Sequence, residues 1–433
     1  MRELALIVIV AGICLVSLVN PRVGVLGYTW FALMRPDVLS WSVGKPFSLA
    51  LAVCTLLGSL IHFREFTILF RNPISRYLMV LLIPITISAD LAVDSSLSWP
   101  AWQCYIRIVI MALLIVVFVR TERSLRILVI VVALSLGFLG LKLSAYGFAV
   151  GTAQYMDDFG ETMMSDNNML ALALAMTVPL CWYGRAMTNS RLIRLVLLGL
   201  SFGSIAGVVM TNSRGGALSL AAALALMGLR SGKRMATFAL IVICTVPAVY
   251  ITRHTYLARL STITAKEDAD ESIRSRLNHT RAAYAMWKDY PFFGVGFGML
   301  NYAHLAPKYL GYGDFHVAHN TYMQFLADDG IFAFSLYVGL LCGTLIWLER
   351  SARRAKRETL GREVYPVAIQ TSLVSFAVGS YFLSRDSYDL LYIMLMAAAA
   401  WWTVQKTGAY DETDLNEEEP LAKSLDPAVV AVH

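Results

Sequence analysis

The side chains best suited to chemistry are a few arginines and histidines that stand apart from long apolar stretches. Arg276 lies in a segment, Glu271–Lys288, whose apolar residues Ile273, Leu277, Tyr284 and Trp287 recur at helical spacing; Arg274 and Arg281 flank it. Pro291 ends that segment. His316 and then His319-Asn320 follow, just before the chain turns apolar again. Further upstream, Asn212-Ser213-Arg214-Gly215-Gly216 joins two apolar runs through a turn of a few residues. A guanidinium presents planar, permanently charged donors that suit phosphates. An imidazole titrates near neutrality and can take a proton from a hydroxyl. Together these types point to an anion contact beside a general base. Taken singly, each has a plainer role: an arginine can bond backbone carbonyls, and a lone histidine more often packs than reacts.

Other candidates carry less. Phe292-Phe293-Gly294-Val295-Gly296-Phe297-Gly298 has the glycines of a phosphate loop, but no strand precedes it and no GKS or GKT motif is present. A tight backbone turn is the expectation. Asp157, Asp158, Glu161 and Asp166 form an acidic stretch without a close Asp-x-Asp pair, so a metal site there is only weakly signalled. The six cysteines show no ligand spacing and read as packing residues. Arg385 with Asp386 and Asp389 marks another small polar turn, and Arg253 opens the segment that leads to Arg276.

The elements that must position these groups are membrane helices. The chain has 433 residues, 57% hydrophobic and 15% charged, with mean hydropathy +0.60. Soluble domains are about 45–50% apolar and about 25% charged. That balance excludes an ordinary soluble enzyme, and continuous rather than alternating apolar runs argue against a barrel. Twelve runs could span a bilayer: Leu4–Val19, Pro46–Ile61, Tyr77–Ser88, Ala101–Val119, Leu125–Leu141, Met169–Trp182, Leu192–Met210, Ala217–Leu229, Ala236–Ile251, Ile331–Leu348, Val364–Leu383 and Leu390–Trp402. Residues 22–34 are too few to span and read as re-entrant or interfacial.

The net charge of +6 could suggest a nucleic-acid partner. Its placement says otherwise. Arg64, Arg71 and Arg76, then Arg120, Arg123 and Arg126, then Arg185, Arg191 and Arg194, then Arg230, Lys233 and Arg234, and finally Arg350–Arg362 alternate with acidic loops. By the positive-inside rule the basic loops are cytoplasmic, so the charge is topological and no nucleic acid is expected. The candidate residues then fall outside. The expected organisation is membrane helices over 1–251, an outside loop over 252–327, further membrane helices over 328–405 and a disordered acidic tail over 406–433.

His319-Asn320, nine residues and Gly330, together with Arg276 fifteen positions before Pro291 and the Ser213-Arg214-Gly215 motif, resemble the O-antigen ligase and polymerase superfamily. Asn20-Pro21-Arg22-Val23-Gly24 and Arg35-Pro36 are similar to the ligases linked to exosortase systems. The resemblance implies an all-α, GT-C-like glycosyltransferase of about twelve spans with one large periplasmic loop, in the bacterial inner membrane. It implies transfer of a polysaccharide from undecaprenyl diphosphate to lipid A–core oligosaccharide in lipopolysaccharide biosynthesis, inverting, without metal or cofactor, by a monomer surrounded by membrane lipids. His319, Arg214 and Arg276 would be catalytic. Arg253, Arg274, Arg281, His316, Asn320 and Arg385 would join the two arginines in binding diphosphate or acceptor. An O-antigen polymerase, a protein O-oligosaccharyltransferase and a lipid-linked sugar transporter are the alternatives; a transporter would want charges and broken helices inside several spans.

Overall fold

A computed structural model describes residues 2–40, 44–150, 166–231, 266–358, 361–384 and 387–408. Arg253, Arg385, the run 236–251, the acidic residues 157–161 and the tail from 409 onward lie outside the described residues. Among the described residues every regular element is a helix. The expected apolar runs, apart from 236–251, all fall on helices.

The main helices are α1 (Arg2–Val19), α2 (Pro21–Met34), α3 (Phe47–Leu60), α4 (Pro73–Asp90), α5 (Ser95–Phe118), α6 (Glu122–Val150) and α7 (Asn167–Gly184). After them come α8 (Arg191–Met210), α9 (Arg214–Ser231), α10 (Lys266–Asp289), α11 (Leu300–Leu310), α12 (Thr321–Glu358), α13 (Val364–Gly379) and α14 (Asp389–Thr407). Their starts follow from local chemistry. Asn72 precedes Pro73 and accepts from the Ile74 and Ser75 amides at 3.0 and 3.3 Å, and Asp94 caps α5 through Ser96 at 3.0 Å.

Seven described helices are long and apolar enough to cross a bilayer, or eight if the bent pair Phe47–Leu60 and Phe63–Arg71 is one span. The chain is a multi-pass membrane protein. α2 has 14 residues, about 21 Å at 1.5 Å per residue, shorter than a hydrocarbon layer of about 30 Å. α7 and α14 form the centre: Leu170–Cys181 and Leu390–Trp401 are buried residue after residue. A helix apolar all round belongs there. α1 by contrast exposes Leu4, Val8, Leu15 and Val19, a surface suited to lipid.

The bundle has two distinct ends. At one, basic side chains find partners: Arg120 with Glu65 at 2.9 Å and Arg362 with Glu122 at 3.1 Å. Arg230 bonds Glu349 and Gln370, and Arg194 donates to the Thr188 carbonyl at 2.7 Å. The opposite ends of α5 and α12 carry the segment 290–320. Asn301 fixes it to α5, accepting from the Asp94 amide at 2.9 Å and donating to the Ser98 hydroxyl at 2.9 Å.

Candidate functional site

His319 precedes α12, and its backbone is held from both sides. Asn320 caps the helix by accepting from the Tyr322 and Met323 amides at 3.0 and 3.2 Å. Its own amide donates to the Ser384 hydroxyl at 3.1 Å, and the Thr321 hydroxyl donates to the Leu383 carbonyl. On the other side Gln324 accepts from the Ala318 amide at 2.8 Å and donates to Asp328 at 2.9 Å. Between these anchors His319 adopts φ 52°, in the left-handed region uncommon for residues other than glycine. Such strain costs about 1–3 kcal/mol and persists where surrounding structure enforces it. Asn320, expected to bind substrate, here uses its carbonyl oxygen as a helix cap.

The His319 ring is half-buried. Burial lowers its basicity first, and the charges of Arg276, His279 and His316 lower it further, with Asp166 opposing. The imidazole is therefore neutral at physiological pH and free to accept a proton. His316, an exposed neighbour, has its ring centre 6.5 Å away.

Behind His316 lies a cluster that sequence reasoning missed. His279 is fully buried on α10, and its Nε2 lies 3.0 Å from Asp314 Oδ2. His316 Nδ1 contacts the other carboxylate oxygen. Burial pushes the Asp314 pKa up, but hydrogen bonds from His316 and His279 outweigh it and bring it down to about 2. Tyr302 completes the group: its hydroxyl donates to the His279 carbonyl at 2.7 Å and lies 3.4 Å from His279 Nδ1. The ligand atoms of His279, Asp314 and His316 all lie within 4.8 Å of one another, so these residues could hold a metal ion. One signal was available: His279 follows Arg276 by three positions, one helical turn, on the stripe that continues through Ala283 and Met286.

The arginines separate. At about 100° per residue, Arg276 shares the side of α10 that buries His279, whereas Arg274 and Arg281 fall on the far side; all three are exposed. Of the three, Arg276 is the one whose charge bears on His319. Arg214 opens α9 and is exposed. Its neighbours tie it to the same end: Ser213 donates to Asn168 at 2.7 Å, two residues after Asp166. Gly215 sits against Phe382, beside the Leu383 and Ser384 contacts that hold the start of α12. Among the described residues, Arg214 and Arg276 have no acidic partner.

The glycine run is a tight turn, as expected, but its work is to dock on α12. That helix breaks at Gly330 (φ 71°, ψ −175°). Val295 and Gly296 amides donate to the Ala327 and Asp328 carbonyls at 2.9 Å, and Ile331 donates to Pro291 at 2.9 Å. A Cβ on Gly294 would lie 2.2 Å from the Asp328 oxygen, and one on Gly330 would lie 2.3 Å from the Phe292 carbonyl. Only bare backbone lets the two segments meet.

Residues 199–338 match the O-antigen ligase family model. This stretch takes in Arg214, Arg276, the glycine run and His319. Residues 1–189 match a family of unknown function (DUF5935). No curated protein matches the chain. The arginines, the histidine and the broken helix all lie inside the matched region, which supports membership of the O-antigen ligase superfamily.

Proposed function

We propose that the chain transfers a glycan from undecaprenyl diphosphate to lipid A–core oligosaccharide at the periplasmic face of the inner membrane. The supporting observation is His319, neutral, half-buried and conformationally fixed, under the influence of Arg276, which has no acidic partner among the described residues. The acceptor hydroxyl gives its proton to His319 as its oxygen bonds the anomeric carbon. The bond from that carbon to the diphosphate breaks on the opposite face, which inverts the centre. Negative charge builds on the departing diphosphate, and Arg214 and Arg276 neutralise it. Preorganised donors of this kind contribute about 3–4 kcal/mol each, and a general base contributes roughly 10²–10⁴-fold.

The positive-inside rule supports the orientation, because the ion-paired basic end faces the cytoplasm and the His319 end faces out. The test is lipopolysaccharide from a deletion strain complemented with wild type or His319→Ala. A ligase predicts long glycan left on the lipid carrier and bare core in the variant. Single repeat units attached to core would identify a polymerase instead, and unchanged lipopolysaccharide would end the reading.

A further inference from the structure

We propose that His279, Asp314 and His316 bind one divalent transition-metal ion of the zinc class, which clips the loop carrying His319 onto α10. The three donors come from two elements: His279 from α10, Asp314 and His316 from the loop that ends at His319. Their ligand atoms lie within 4.8 Å of one another. Two ligands about 2.0–2.1 Å from a tetrahedral ion sit roughly 3.3 Å apart. The 3.0 Å between His279 Nε2 and Asp314 Oδ2 is already near that spacing. His316, with its side chain 74% exposed, is the one free to swing inward.

One tautomer of His279 suits an ion. The Tyr302 hydroxyl has one proton, and it is donated to the His279 carbonyl at 2.7 Å. Toward His279 Nδ1, at 3.4 Å, that oxygen can therefore only accept. In the tautomer that donates from Nδ1 to that oxygen, Nε2 presents a lone pair toward Asp314 Oδ2. A metal ion between His279 and Asp314 would take that lone pair and a carboxylate oxygen together. Metal-bound histidines commonly donate their other ring N–H in this way. Two imidazoles and one carboxylate suit zinc, and three protein ligands leave a fourth position for water or an anion.

This site lies outside the transfer chemistry proposed above, and it revises the expectation of a chain without metal. The test titrates Co²⁺ into purified full-length protein in detergent micelles, with any affinity tag removed, and reads the visible absorption of a tetrahedral cobalt site. The expected result is one Co²⁺ per chain, displaced by Zn²⁺. His316→Ala and Asp314→Asn should each weaken binding by about tenfold or more, while His304→Ala, an exposed histidine on α11, should leave it unchanged. No tetrahedral spectrum in the wild type, or the same titration in His316→Ala, would overturn the proposal. Neither donor nor acceptor enters the measurement, so its failure leaves the transfer reading intact.

Discussion

The two ends of the bundle use the same residue type for different purposes. At the basic end Arg120 and Arg362 each face a glutamate, Arg230 faces Glu349, and the charges hold loops to one another. At the other end Arg214 and Arg276 face no acidic group among the described residues, and the nearby carboxylate of Asp314 is engaged by histidines. An arginine satisfied within the fold serves folding and orientation. An arginine left facing outward, beside a neutral histidine, is placed for an anion from elsewhere. The net charge of +6 merges both populations; only their partners separate them.

Substitutions can break or sharpen that contrast. The largest effect is expected at Gly330, where the broken helix meets the glycine run. Gly330→Ala imposes a backbone conformation nearly exclusive to glycine, about 1–3 kcal/mol, and a Cβ 2.3 Å from the Phe292 carbonyl. Folded yield and melting temperature in detergent should fall sharply, with activity lost alongside. Arg276→Ala should leave melting unchanged and reduce transfer by about 10²–10³-fold, as for a missing donor to a developing anion. Arg214→Lys keeps the charge but loses the fork; donor affinity should drop about tenfold, the equivalent of one charge-assisted hydrogen bond. At the basic end Arg353→Ala removes a pair with Glu349 that is largely exposed. It should cost at most about 0.5 kcal/mol and leave transfer untouched. A loss of transfer there equal to that of Arg276→Ala would erase the distinction between the ends.

The helices were legible in the sequence because membrane burial writes itself as continuous apolar runs. Met169–Trp182 and Leu390–Trp402 read as spans and form the centre of the bundle. His319, Arg276 and Gly330 were legible as a motif, though not why it holds together: Gly330 and Gly294 are tied by backbone approach across more than thirty residues of sequence. Asp314 gave no signal. Its meaning comes from a buried histidine on another element, and such tertiary pairings have no local pattern. Arg274 and Arg281 looked equivalent to Arg276 in composition, yet helical phase sets them on the other side of α10. Asn320 looked like a site residue, and its carbonyl oxygen is a cap.

The central claim is that His319 takes the acceptor's proton. The most direct test is transfer in vitro from a synthetic undecaprenyl diphosphate–glycan to purified lipid A–core, comparing wild type with His319→Ala at matched folded protein. The account predicts a loss of at least about 10²-fold, with unchanged melting temperature and unchanged donor binding. Transfer by His319→Ala at the wild-type rate would contradict it.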